Sequence, residues 1–309
     1  MRLINADTLT LSTFHGSDVP PYAALSHTWG DSEITFLELR NLNMSLLNAR
    51  IKIKSKAGYY KITKSCAQAR EDGLQYVWID TCCIDKSSSA ELSEAINSMW
   101  RWYQNATVCY AYLDDSIDLI SEKDLGRAKW FTRGWTLQEL LAPQRLDFFI
   151  KGWNYVGSRA SMKDKLARIT GIDESTLITR NLEAVSLAKR MSWASRRVTT
   201  RLEDMAYCLL GIFDVNMPLL YGEGEKAFTR LQEEIMKDSE DQSLFCWRPP
   251  NASEIWDLDL ILPIRPEEGR GIFARHPSEF SDAGAVRPSS SRGEPYTLTN
   301  KGVRMEIPI

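Results

Sequence analysis

The chain has 309 residues, 43% of them hydrophobic and 26% charged. These proportions leave room for one large core or two modest ones and exclude a fibrous or largely disordered chain. Its 38 basic and 41 acidic residues give a net charge of -3, so no global field draws it to nucleic acid or anionic lipid, and neither is expected as a partner. With no apolar run of about 18 residues and no apolar core after Met1-Arg-Leu-Ile-Asn-Ala-Asp7, the expected location is cytoplasmic. Cys66, Cys82, Cys83, Cys109, Cys208 and Cys246 form no C-x-x-C pair, and His15, His27 and His276 lie far apart. Reduced thiols and the absence of a metal or resident cofactor are expected.

In chain order, Tyr22-Ala-Ala-Leu-Ser26 is a short apolar run that stops at His27-Thr-Trp-Gly30-Asp31, the pattern of a buried strand emptying into a polar loop. Arg50-Ile-Lys52-Ile-Lys54-Ser-Lys56 alternates apolar and cationic residues and reads as a half-buried edge strand; phosphate binding is its alternative use. Helical spacing joins Ile62, Cys66 and Ala69. Tyr76-Val-Trp-Ile-Asp80 repeats the strand-then-acid pattern. A second helix carries Leu92, Ala95, Ile96, Met99, Trp100 and Tyr103 on one face. Val108-Cys-Tyr-Ala-Tyr-Leu113, ending at Asp114-Asp115, and Leu146-Asp-Phe-Phe-Ile150 are further strands. Alternation of strand and helix predicts an α/β fold, a parallel sheet with helices on both faces. In such sheets ligands bind outside the carboxyl ends of the strands, which puts the loops at residues 26–31, 80–86 and 130–139 on one rim.

After residue 150 the pattern turns helical. Residues 1–150 are therefore expected to form the α/β domain, 151–240 a helical subdomain, and 241–309 a loop-rich segment. In the subdomain, Thr200-x-x-Glu203 reads as a capping box opening a helix with Leu202, Met205, Ala206, Leu209, Leu210 and Phe213 on its apolar face, and another helix runs from Glu225 through Ile235. Short strands are expected at Leu244-Phe-Cys-Trp247 and at 303–307. Nothing closes the last of these, so the native chain is expected to continue past Ile309.

Among groups able to do chemistry, Trp135-Thr-Leu-Gln-Glu139-Leu-Leu-Ala-Pro143 comes first. On a helix Leu137, Leu140 and Leu141 share one side, while Trp135 and Glu139, four apart, share the other. The pair reads as a stacking platform beside an anion, or else as a capping box with a packed indole. Glu91 either points to the same rim or, through Ser88-x-x-Glu91, caps the helix that follows. Asp80 reads as a carboxylate that fixes its loop. Ser26 and His27, being neighbours on a strand, leave on opposite faces and cannot pair as nucleophile and base. Cys82 and Cys83 lack an obvious base, and Tyr221-Gly-Glu-Gly224-Glu-Lys226 lacks the ending of a P-loop.

Three blocks, Tyr22-Ala-Ala-Leu-Ser-His-Thr-Trp-Gly30, Val77-Trp-Ile-Asp-Thr-Cys-Cys-Ile-Asp85 with Glu91 after it, and Arg133-Gly-Trp-Thr-Leu-Gln-Glu139, resemble in order the fungal heterokaryon-incompatibility (HET) domain proteins. Lys86 departs from the family's more frequent Gln. The stretches Met191-Ser-Trp to Ala206-Tyr207 and Met217-Pro-Leu-Leu-Tyr-Gly-Glu-Gly224 are similar to the region that follows the domain in many relatives. The resemblance implies a role in self/non-self recognition and programmed cell death, and a TIR/flavodoxin-like fold. Trp135-x-x-x-Glu139 is similar to the stretch that holds the glutamate of TIR-type enzymes cleaving NAD at the nicotinamide–ribose bond. It implies Glu139 as the catalytic residue, with Ser26, His27, Trp29, Asp80, Glu91 and Trp135 around NAD or a related nucleotide. The other reading is a non-catalytic death-signalling module whose rim binds a second copy or a homotypic partner.

Overall fold

Residues 22–27 are apolar almost without interruption, and a strand with that composition is stable only when both its faces are covered. In the computed structural model, which describes residues 1–42, 47–116, 125–249 and 271–288 and the backbone of 297–299 and 302–304, they form β3 (Tyr22–His27), buried at every position. Its parallel neighbours are β4 (Tyr76–Trp78) and β5 (Val108–Leu113), and β6 (Leu146–Ile150) runs parallel to β5. Three antiparallel strands complete the sheet. β1 (Arg2–Asn5) pairs with β4, β2 (Leu11–Thr13) with β1, and β7 (Asn154–Ser158) with β6, giving the order β2-β1-β4-β3-β5-β6-β7.

The four parallel strands thus run second, first, third, fourth, the doubly wound order of flavodoxin-like sheets. The chain leaves β3 for β4 on one side and later returns to place β5 on the other. The order therefore reverses between β3 and β5, where Ser26 lies opposite Ala111. At such a switch point the loops after the strands diverge and leave a crevice.

Helices fill the crossovers. Between β3 and β4 come α1 (Phe36–Arg40), α2 (Leu47–Lys54) and α3 (Ala57–Glu71); then α4 (Asp80–Cys83) and α5 (Ser89–Asn105) lead to β5. The edge strand expected at residues 50–56 is instead the end of α2. The sheet has β2 and β7 as its edge strands, and this segment joins neither. Ile51 and Ile53 stand about 200° apart on a helix, and accordingly Ile53 is buried while Ile51 is exposed. On α5 the expected apolar face is formed, with Ala95, Ile96, Met99 and Tyr103 buried. Between β5 and β6 lie α6 (Lys129–Thr132) and α7 (Thr136–Leu141).

The chain divides into two compact units: Met1–Ile169 with Asp173–Arg180, and Thr170–Ile172 with Asn181–Ile309. The boundary expected at residue 150 falls inside the first unit, because a hairpin brings β7 back onto β6 and the sheet gains an edge. α8 (Lys163–Thr170) and α9 (Glu174–Thr179) follow. In the second unit the helices are α10 (Leu187–Ser192), α11 (Asp204–Tyr207), α12 (Leu210–Phe213) and α13 (Lys226–Asp238).

The long helix expected after Thr200 is broken into α11 and α12, with Leu202 exposed. Glu203, expected to close a capping box, accepts instead from the backbone N–H groups of Gly222 (2.7 Å) and Gly224 (3.1 Å), tying down a distant loop. Of the strand expected at Leu244–Trp247, Leu244 and Phe245 instead end a 3-10 turn that spans Gln242–Phe245. They are held there because Ser243 Oγ accepts from Ala188 N and Asp241 caps both the turn and Leu187 N. Such bonds join Asp241 and Ser243 to α10, so the residues just after 240 belong to the same unit as the helices before them. The hairpin of β8 (Thr297–Thr299) and β9 (Gly302–Arg304) covers the start of the last expected strand; residues 305–307 lie outside the described residues.

Candidate functional site

The end of β3 presents two consecutive side chains to opposite faces of the sheet, and a cluster forms around each. Ser26 is fully buried and its Oγ donates to the Glu139 carboxyl group. The same oxygen accepts from Trp130 Nε1 at 2.7 Å. Tyr103, from α5, gives its hydroxyl to the Leu25 carbonyl at 3.3 Å and bonds to Glu139 as well. Glu139 itself is 6% exposed. Burial pushes its carboxyl group up to about 8, against the pull of the Ser26 bond, with the Asp80 charge adding to the rise. Near neutral pH this group is chiefly a neutral acid, because a lone carboxylate is costly away from water.

The second cluster surrounds His27. Lys61 Nζ lies 3.2 Å from His27 Nδ1, 2.9 Å from the Thr28 carbonyl and 2.7 Å from Glu33 Oε1. An ammonium group only donates, so Nδ1 accepts and Nε2 carries the hydrogen given to Asp80 Oδ1 at 3.3 Å. The second oxygen of Asp80 accepts from Trp29 Nε1 at 2.9 Å and stands 3.6 Å from Lys86 Nζ. Burial works to raise the Asp80 carboxyl, but the charge of Lys86 and the bonds from His27 and Trp29 outweigh it and bring it down to about 2. The Trp29 ring is 53% exposed and carries Lys86 Nζ 3.5 Å from its centre. An indole pinned at its edge by an acid and on its face by an ammonium is a rigid platform.

Ser26, His27, Trp29, Asp80 and Glu139 are therefore brought together at the carboxyl ends of β3 and β4. Glu91 is not. It makes a two-pronged ion pair with Arg2, the Arg2 Nη2 to Oε2 bond being 2.8 Å, and accepts from Asp85 N at 2.7 Å, while its own N–H is capped by Ser88 Oγ. This anchors β1 to the loop after α4. Trp135 stands just before α7 and is half-buried. The open face expected for Trp135 and Glu139 is not formed, since all six residues of α7 are buried. A six-residue helix lying in the core has no solvent side for a 100° pattern to mark.

Trp130, Tyr103 and Lys61 were missed by the sequence reading. Lys61 had a signal: with Ser65 it interrupts the stripe of Gly58, Ile62, Cys66 and Ala69 on the buried side of α3, and a buried lysine needs partners. At the opposite end of β3 a cavity of about 740 Å³ is lined by Val19, Pro20, Tyr22, Ser98, Arg101 and Trp102. Among the described residues no cluster of His, Cys, Asp or Glu could hold a metal ion, and no helix is long and apolar enough to cross a membrane.

Residues 22–122 match the family described as Heterokaryon incompatibility protein (HET), and residues 226–309 a domain of unknown function, DUF8212. The chain is similar to Vegetative incompatibility protein HET-E-1 of Podospora anserina, 47% identical over 231 residues. That alignment covers 71% of this chain and 16% of the relative's length. No solved structure matches. The three blocks and the β3–β5 rim they build all fall within or beside the matched region, and the chain is a HET-domain protein.

Proposed function

We propose that the chain acts in heterokaryon incompatibility, and that its carboxyl rim cleaves NAD at the nicotinamide–ribose bond. The observation that carries this reading is the pair of acids at the switch point, Glu139 seated on Ser26 Oγ and Asp80 holding Trp29 Nε1 at 2.9 Å. Their surroundings drive them apart, Glu139 up to about 8 and Asp80 down to about 2, which supports a place for chemistry. In this reading the bond from C1′ of the ribose to the nicotinamide nitrogen breaks, and its electron pair leaves with nicotinamide. Ionised Glu139 stabilises the positive charge left on the ribose until water attacks C1′ and loses a proton. Trp29 offers a ring on which a planar base stacks, and Asp80 fixes that ring.

Because the working form of Glu139 is the ionised one, nicotinamide release rises with pH through about 8. Chromatography of the products from concentrated protein and NAD measures it, and Glu139→Gln abolishes it. Absence of nicotinamide at every pH, with cell killing intact in Glu139→Gln, defeats the enzymatic part.

A second reading is favoured by the 6% exposure of Glu139 beside the 53% exposure of Trp29. It makes the acid a core group and the rim a surface for a second copy or a homotypic partner. Here Trp29→Ala or a substitution of Trp135 abolishes assembly in light scattering, while Glu139→Gln is tolerated.

A further inference from the structure

We infer that Arg159 is the positioning residue for Glu139, holding the end of α7 so that the acid stays seated on Ser26. Arg159 follows β7, is 4% exposed, and its guanidinium spreads over the chain directly after Glu139. Nη1 donates to the carbonyls of Leu140 (2.6 Å) and Leu141 (3.5 Å), and Nη2 to those of Pro143 (2.8 Å) and Gln144 (3.1 Å). A helix leaves its last four carbonyls without partners inside itself. In α7, six residues long and buried throughout, water is not at hand to satisfy them. One guanidinium meets Leu140 and Leu141 together with the turn beyond, and Arg180 Nη1 reaches the Ala142 carbonyl at 3.4 Å.

A cation in this place is costly, which argues that the sequence keeps it for its geometry. Burial, with the nearby Arg180 charge, brings Arg159 down to about 10, so it remains charged at neutral pH. The acceptors named above are all backbone carbonyls. Positive charge near the carbonyl end of a helix is favourable, and a planar group with five donors can bridge several carbonyls where an ammonium cannot.

The aim of the side chain comes from a bulge. Phe148 pairs with Gly157 and Phe149 with Tyr155, so Val156 is an extra residue on β7. Without it Tyr155 and Arg159 would share a face; with it the alternation shifts by one. Tyr155 is 59% exposed and Arg159 is buried, as that shift requires. The bulge also depends on Gly157, whose φ is +148° and where a Cβ would lie 2.8 Å from Met162 Sδ.

The bearing on chemistry rests on the reading of Glu139 as the working acid, but the positioning is tested without it. Trp130 Nε1–H donates to Ser26 Oγ, which touches Glu139, so its NMR signal, assigned with Trp130→Phe, reports ionisation of the acid. In the wild type it titrates near 8, and Glu139→Gln removes the transition. Arg159→Lys keeps the charge with fewer donors, and Arg159→Gln keeps two donors without the charge. In either variant α7 loosens, water reaches the acid, and the midpoint falls by about one pH unit or more as the desolvation penalty shrinks. Folded variants with an unmoved midpoint overturn the inference. So does failure of both to fold while Arg145→Lys folds, since Arg159 would then support the sheet at large. No nicotinamide release by the wild type, together with the midpoint shift in the Arg159 variants, defeats the enzymatic proposal and leaves this one standing.

Discussion

Glu139 shows how a neighbourhood changes what a residue is. In water it is an anion; among Ser26, Tyr103 and Trp130 it holds its proton up to about 8. A carboxyl group raised on folding binds its proton more tightly folded than unfolded. Its stabilisation is therefore full below 4.5, declines as pH rises, and is gone above 8. Replacing it with Gln, a near-isostere of the neutral acid, leaves stability almost unchanged near pH 5. By pH 8 Glu139→Gln is the more stable protein, the gap widening by on the order of 1 kcal/mol per pH unit. Urea unfolding across that range measures the difference, and parallel curves for the two proteins would contradict the neutral-acid account. Lys61 is the complementary case: its side chain is 5% exposed and holds His27, Thr28 and Glu33 together. Lys61→Met leaves the partly exposed Glu33 carboxylate and the buried Thr28 carbonyl without their donor and costs about 1–3 kcal/mol, read from the same unfolding curves.

At the scale of elements, the loops of the rim are ordered by bonds that lie away from it. Glu91 gathers Arg2 from β1 and the Asp85 backbone after α4, and through them keeps the Asp80–Lys86 loop in place. Both partners of the Arg2 pair are about a quarter exposed, so solvent screens the ion pair. Glu91→Ala accordingly costs about 1–2 kcal/mol, most of it from the lost backbone bond and the pair together. Thermal unfolding registers that loss. In the proposed enzymatic reading, nicotinamide release per folded molecule stays within about twofold of wild type, because by geometry Glu91 touches neither cluster. A much larger drop in activity would return Glu91 to the site.

At the scale of the whole molecule, the chain divides into two compact units. In the second, Gln232 is fully buried and bonds reciprocally with the backbone of Ala274, Nε2 to O at 2.8 Å and N to Oε1 at 3.0 Å. This single amide holds residues near 274 against α13. Gln232→Ala leaves a backbone donor and acceptor unpaired at a cost of about 2–3 kcal/mol, and limited proteolysis then cuts at 271–288 sooner than in the wild type. The two clusters at the first unit's rim are unaffected, since none of their groups takes part in that bond.

By itself the sequence determined the class of fold and the end of the sheet where its polar residues gather. The runs at residues 22–26, 76–80, 108–113 and 146–150 are apolar for a reason that needs no tertiary information: a strand covered on both faces must be so. Ser26 and Asp80 were legible because they end such runs, and Glu139 because the Trp135-x-x-x-Glu139 stretch resembles that of TIR-type enzymes. What only the tertiary structure decided is whatever depends on neighbours distant in the chain. The antiparallel strands β1, β2 and β7 are short and partly exposed, and local pattern does not distinguish them from loops. The charge of Glu139, the hydrogen assignment on His27 and the reach of Arg159 all arise from groups 15 to more than 100 residues away in sequence. Burial and hydrogen bonding set these properties, and neither exists until the chain has closed upon itself.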